Sequence, residues 1–319
     1  MALILKESDV EQLLTMPLAL ERVEAVHREY SAGEAIDIPR ERTRLPKAAL
    51  HILQGAVPSA GVFGYKAYTS SREGIRFIVY VFSAERGNLE GIVEANLLGM
   101  VRTGAAAGVA TRALARADAS VAGVIGTGWQ ARGQAEAIAA VRPLSRIKAW
   151  SRNPEKLAKF CARMSAKTSV EVVPAASAED AVRGSHVVST ITTSATPVLD
   201  AAWLEPGTHL NAAGSNSLLR QEIDEATVRR CSPVVVDSRP TALKECGDLL
   251  PLLEKGRLHA GQLAELGEVL NGTRPGRTDP GQVTLFESQG MAIQDLAIAA
   301  ELLRRAKAAG LGAEVDLGA

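Results

Sequence analysis

Several residue types are scarce in this 319-residue chain, and each scarcity excludes something. Cys161, Cys231 and Cys246 are odd in number and lack metal-type spacing. They read as reduced thiols, not as a disulfide framework or a zinc site. The five histidines (His27, His51, His186, His209, His259) are scattered with no ligand-spaced pair, so no metal is expected. Neither charge sign is in excess: Lys plus Arg and Asp plus Glu both number 36, which gives no support for nucleic-acid or anionic-membrane partners. No apolar run is long enough to span a bilayer. The start, Met1-Ala2-Leu3-Ile4-Leu5-Lys6, soon meets Glu7 and Asp9 and lacks the long apolar core of a signal peptide, so a cytoplasmic protein is expected. There is no G-x-S-x-G elbow and no carboxylate pair spaced for hydrolysis, which leaves a hydrolase or zinc dehydrogenase unsupported. Aromatics are only 4%, so aliphatic and alanine packing must build the core that 46% hydrophobic residues make possible.

What is present divides into two modes. Residues 8–14 and 18–31 are predicted helical, the second stretch amphipathic. Strand-like pieces follow at 42–45, 50–53, 62–67, 76–83 and 89–94, the last two joined by the turn Glu85-Arg86-Gly87-Asn88. This is mostly antiparallel material, and an alanine-rich helix over 97–116 leads out of it. From Ser120 strands alternate with helices: strands at 121–125, 147–150, 170–173, 186–191, 208–213 and 233–237, helices at 130–141, 154–166 and 177–183. That rhythm predicts an α/β fold with a Rossmann-type doubly wound parallel sheet. A loop over 272–281, a strand at 283–286 and a helix over 291–309, apolar on one side, complete the chain. The division predicted is 1–117 with the C-terminal segment 292–319 as an α+β domain, and 118–291 as the Rossmann domain.

The chemistry starts at Gly126-Thr127-Gly128-Trp129-Gln130-Ala131, between a predicted strand and helix. In that context G-x-G-x-x-A is a dinucleotide fingerprint. Gly126 makes the tight turn, Gly128 lets backbone approach a pyrophosphate at the helix N-terminus, and Ala131 keeps helix close to strand. The second strand ends in Ser151-Arg152-Asn153, where an NAD enzyme carries an acid. A guanidinium beside a hydroxyl suits the 2′-phosphate of NADP(H), so NADP(H) is the preferred cofactor and NAD(H) the alternative. Three cations in the first domain, Arg42, Lys66 and Arg102, stand where an incoming carboxylate would answer the cost of burying them; the competing explanation is a structural salt bridge for Lys66 and Arg102 and a solvated charged face for Arg42.

Taken together, Arg42-Thr43, Gly64-Tyr65-Lys66, the run Met100 to Ala106, the fingerprint, Asn211-Ala212-Ala213-Gly214-Ser215-Asn216 and the run Thr284 to Asp295 resemble the ornithine cyclodeaminase/mu-crystallin family over nearly the whole chain. Its members include cyclodeaminases, an archaeal type of alanine dehydrogenase, ketimine and pyrroline-2-carboxylate reductases, and mu-crystallin. The resemblance implies a homodimer formed through the N-terminal, substrate-binding domain. It implies that Arg42, Lys66 and Arg102 hold a substrate carboxylate in an interdomain cleft, and that Thr103, Ser288 and Gly290 lie near the cofactor. Thr190, Gly214 and Ser215 join Thr127, Gln130, Ser151 and Asn153 as expected cofactor contacts.

One position departs from the pattern. The deaminating members carry a catalytic Asp where this chain has Asn216. An amide cannot act as a general base, which oxidative deamination needs and reduction of a preformed imine does not. Asn216 and Arg152 therefore both point to NADPH-dependent reduction of a cyclic or linear α-imino acid, with Lys66 supplying or relaying a proton and Asn216 orienting the imine. Ornithine cyclodeaminase, an amino-acid dehydrogenase and a non-catalytic NADPH-binding protein are the alternatives.

Overall fold

A computed structural model describes residues 1–316; the last three positions of the segment 292–319 lie outside the described residues. The chain forms two compact units, Met1–Arg102 with Met291 onward, and Thr103–Gly290. The division falls inside the helix Asn96–Leu114, where the sequence reading placed it after the helix, at 117. A continuous helix gives no compositional break at the point where its packing partners change.

The first unit is built on a mixed seven-stranded sheet. Its strands are β1 (Ala2–Leu5), β2 (Ile36–Arg44), β3 (Ala48–Val57), β4 (Val62–Ser71), β5 (Gly74–Ser83), β6 (Leu89–Glu94) and a C-terminal strand, Ala313–Val315. The order is Ala313–Val315, β1, β6, β5, β4, β3, β2, with β1 and β6 parallel and the rest antiparallel. The helix Ala292–Ala309 lies on one face because glycines clear a path for it. A Cβ at Gly55 would come within 2.9 Å of Ile293, one at Gly64 within 3.1 Å of Leu296, and one at Gly91 within 2.5 Å of Leu303. The helix begins with no side-chain cap of its own; Asp37 on β2 accepts from Ala292 N at 2.7 Å and Ile293 N at 3.3 Å in its place.

The second unit holds an all-parallel sheet of β7 (Val121–Ile125), β8 (Arg146–Trp150), β9 (Glu171–Pro174), β10 (Val187–Thr190), β11 (His209–Ala212), β12 (Cys231–Val236), β13 (Leu263–Glu265) and β14 (Val283–Glu287). The order is β13-β12-β14-β11-β10-β7-β8-β9. Consecutive strands thus run outward from β7 in one direction and from β10 in the other, which puts the topological switch point between them, where such folds bind ligands. β14 inserts between β11 and β12, so the sheet has eight strands, not a simple run of six. Separate apolar cores cover the two faces: Ala131, Ile138, Phe160 and Met164 in one, Ile223, Val228, Leu249 and Leu252 in the other. Helix Trp129–Val141 crosses so close to helix Asn96–Leu114 that a Cβ on Gly104 would lie 2.1 Å from Gly133 O.

Candidate functional site

In the first unit Lys66 projects from the middle of β4 and is only 1% exposed. Its Nζ donates to Asp295 Oδ1 at 2.9 Å and stands 4.7 Å from the centre of the Phe77 ring. A Cβ on Gly99 would be 3.2 Å from Nζ, so the ammonium rests against helix backbone that only a side-chain-free residue leaves open. Arg102 reaches the same carboxylate, Nε to Asp295 Oδ2 at 3.3 Å, and donates from Nη1 to Gln294 Oε1 at 3.0 Å. Gln294 in turn meets His27 Nε2 at 3.0 Å, and burial holds His27 neutral by lowering its pKa to about 4. Burial likewise pulls Lys66 down to about 8, with Asp295 opposing the shift and the charges of Arg102 and Arg40 adding to it.

Arg42 pairs with His51 across β2 and β3, and His51 pairs with Tyr68 across β3 and β4, so the three share the face that carries Lys66. The His51 and Tyr68 rings stack with centroids 4.2 Å apart. Arg40 is a residue that sequence reasoning passed over. It is 3% exposed, with its guanidinium 6.0 Å from the Tyr68 ring centre. A β-bulge between Ile38 and Glu41 explains how Asp37, Arg40 and Arg42 reach one face: the extra residue resets the alternation. Asp295, in sequence only the last residue of the run Thr284 to Asp295, is the anion on which Lys66 and Arg102 converge.

In the second unit the fingerprint turn joins β7 to helix Trp129–Val141. Gly126 has φ of +111°, and a Cβ there would strike Ile191 O at 2.4 Å, so only glycine fits. Gly128 is the helix N-cap without a side-chain cap, and the space a Cβ would take is open. Gln130 Oε1 is buried without a hydrogen-bond partner among the described residues, while Ala131 is buried against the sheet. An uncapped helix start with free N–H groups and an open cradle fit a bound pyrophosphate. Thr127 is half-buried beside them.

After β8, Asn153 caps the helix Pro154–Thr168, Oδ1 accepting from Lys156 N at 2.9 Å, and Ser151 Oγ accepts from Asn153 N at 3.3 Å. Arg152 between them is exposed. The remaining expected cofactor contacts are tied inside the unit. Thr190 Oγ1 donates to Glu222 at 3.0 Å and Gly214 N to the same carboxylate at 2.7 Å. Ser215 Oγ lies 3.4 Å from Glu287 Oε2. Ser288 Oγ and Gly290 N donate to Asp237 Oδ2 at 3.3 and 2.6 Å. Thr103 O accepts from Gln134 Nε2 at 3.3 Å. Asn216 is half-buried, its Oδ1 accepting from Arg220 at 3.3 Å. Glu222 and Asp237, the acceptors in this frame, were not anticipated.

The parallel sheet with its glycine turn at the switch point is the dinucleotide-binding architecture of α/β oxidoreductases. The chain belongs to the ornithine cyclodeaminase/mu-crystallin family, whose profile matches residues 1–310. Δ1-pyrroline-2-carboxylate reductase of Bacillus cereus is 32% identical over 98% of this chain and 99% of that one. The structure of the Thermococcus litoralis Δ1-pyrroline-2-carboxylate reductase, solved with NADH and L-proline, superposes with a TM-score of 0.94 at 31% identity, covering 98% of this chain and all of that one. Iminosuccinate reductase of Paracoccus denitrificans, solved with NAD+, gives a TM-score of 0.93 at 29% identity over 99% of both chains. No helix among the described residues is long and apolar enough to cross a membrane.

Proposed function

We propose that this chain is an NADPH-dependent reductase of a cyclic or linear α-imino acid of the Δ1-pyrroline-2-carboxylate or Δ1-piperideine-2-carboxylate kind, yielding the amino acid. The observation that carries the reading is the buried pair Lys66 and Arg102 sharing one carboxylate, Asp295. Two cations on one anion leave positive charge for a substrate carboxylate, and Arg42 stands on the same sheet face as Lys66. An ammonium held at about 8 is poised to give up a proton near neutral pH. In this reading Lys66 protonates the nitrogen while Asn216 orients it. Gly126, Thr127, Gly128, Gln130 and Ala131 seat the pyrophosphate, and Ser151, Arg152 and Asn153 hold the 2′-phosphate. The reduced dinucleotide supplies the hydride that the imine carbon accepts. The kinship with enzymes named as reductases of a pyrroline carboxylate and of iminosuccinate supports reduction of C=N.

We also propose a homodimer. The sheet face of the first unit opposite Lys66 carries an aromatic row, Phe63 against Phe82 and Tyr65 against Tyr80, with Phe63, Ile36 and Ile38 exposed. Such a face is suited to burial by a second copy.

The deciding experiment follows NADPH consumption with Δ1-pyrroline-2-carboxylate and Δ1-piperideine-2-carboxylate, beside ornithine with NAD. Turnover of an imine with NADPH is expected. Ammonia release from ornithine without net cofactor change would replace this reading by a cyclodeaminase.

A further inference from the structure

Glu222 is wholly buried in the second unit, and its carboxylate receives donors from two separate strand ends. Oε2 accepts from Thr190 Oγ1 at 3.0 Å, at the end of β10, and from Gly214 N at 2.7 Å, beyond β11. Oε1 accepts from Thr192 N. Position 214 is glycine because the carboxyl fills the space of a side chain: a Cβ there would lie 2.4 Å from Glu222 Cδ and 2.5 Å from Thr192 O. The segment so held is the one the fingerprint turn leans on, since a Cβ on Gly126 would strike Ile191 O at 2.4 Å and come within 3.3 Å of Thr192 Cγ2. Glu222 is anchored from behind, its own N donating to Asp248 Oδ1 at 2.7 Å and Ile223 N to the same oxygen at 3.1 Å.

We propose that Glu222 is a positioning residue for the dinucleotide, its carboxylate clasping the loops after β10 and β11 so that the Gly126–Gly128 turn keeps the shape that seats a pyrophosphate. The inference rests on the dinucleotide-binding reading above and assigns the support of that site to a residue outside the fingerprint.

Ionisation matters to the clasp. A carboxylate accepts all three donors; a carboxylic acid places a proton on an oxygen that already faces an N–H or O–H. Burial raises Glu222 to about 7, against the hydrogen bonds from Thr192 and Thr190 that favour its ionised form. The ionisable groups around it are acidic: Asp248 beneath its backbone, then Glu287 at the end of β14, with Cys246 Sγ 3.5 Å from Glu287 Oε2. The folded-state value stands above the ordinary one, so the ionised clasp is lost as pH falls through about 7.

The test is the Kd of NADH, titrated across this pH range on the full-length wild type and on Glu222→Gln. NADH is the probe because the extra phosphate of NADPH titrates in the same region. Wild-type Kd should rise as pH falls through about 7. In E222Q it should be weaker by about tenfold on the alkaline side, the worth of one charge-assisted hydrogen bond, and flat with pH. Should E222Q not fold, Gly214→Ala keeps the glutamate but presses a methyl on its carboxyl, and should weaken NADH binding comparably. An E222Q protein of lowered thermal stability that keeps both the wild-type Kd and its pH step would overturn the proposal, as would a pH-flat wild type. Wild type that binds neither NADH nor NADPH would instead sink the dinucleotide reading itself.

Discussion

Asp295, wholly buried in the first turn of the helix Ala292–Ala309, accepts from Lys66 Nζ at 2.9 Å, a contact between residues 229 positions apart. Its single charge is shared by two cations, since Arg102 Nε is 3.3 Å from its other oxygen. Removing one partner of a buried ion pair is costly because the remaining charge has neither water nor counter-charge. Asp295→Asn should therefore lower unfolding stability by about 3–5 kcal/mol. Adding Lys66→Met should recover part of that loss, because the double variant buries fewer unbalanced charges. Urea midpoints of the wild type, both single variants and the double variant check this; additive losses would show that the pair is not coupled.

The same pair shows where the sequence stops being legible. The fingerprint could be read because its information is local: a glycine that must take positive φ, an open helix start and an alanine against the sheet lie within six residues. The strands and helices between 121 and 191 were legible for a similar reason, as period and punctuation are local signals, whereas the short helices Glu225–Arg230, Arg239–Glu245, Leu250–Glu254 and Leu266–Leu270 span too few turns to show one. Asp295, Arg40 and Glu222 were not. Asp295 matters only because glycines at 55, 64 and 91 let a distant helix settle over β4. Arg40 reaches the Lys66 face only through a bulge, which strict alternation would have denied it. Glu222 sits in a stretch without regular structure and takes its meaning from three donors at and just beyond the ends of β10 and β11. The strand β13 escaped notice because three residues carry no period. Asn216, by contrast, stood out by what it lacks, a carboxylate, and that argument needs no geometry.

Lys66 makes a pH prediction whose sign is fixed by the direction of its shift. Burial lowers its pKa to about 8, so the ammonium that would hold a carboxylate and give up a proton is present below that value and lost above it. The profile of kcat/KM, which reports groups of the free enzyme, should be level near neutrality and fall as pH rises through about 8. Lys66→Arg keeps its charge across this range. It should therefore be slower at neutral pH yet lack the alkaline fall. A wild-type profile that stays level well above this point, or an alkaline limb retained in K66R, would remove Lys66 from the proton-donating role.

Arg152 tests the choice of cofactor without disturbing the fold. It is exposed, and the capping of the following helix rests on its neighbours: Asn153 Oδ1 accepts from Lys156 N at 2.9 Å, and Ser151 Oγ from Asn153 N at 3.3 Å. Arg152→Asp leaves those bonds in place and puts a negative charge where a 2′-phosphate would be held. NADPH should then lose a charge-assisted hydrogen bond and gain a repulsion, weakening by roughly ten- to a hundredfold. NADH has no phosphate there, and a carboxylate can accept from its ribose hydroxyls, so its Kd should hold or improve. Fluorescence titrations of both cofactors against both proteins, at one ionic strength, separate the cases. Equal loss for NADH and NADPH would mean that residue 152 supports the loop and does not read the phosphate; unchanged NADPH binding would assign 2′-phosphate recognition to another cation. A ratio of NADPH to NADH affinity that falls sharply in R152D is the result that ties this exposed guanidinium to recognition of the 2′-phosphate.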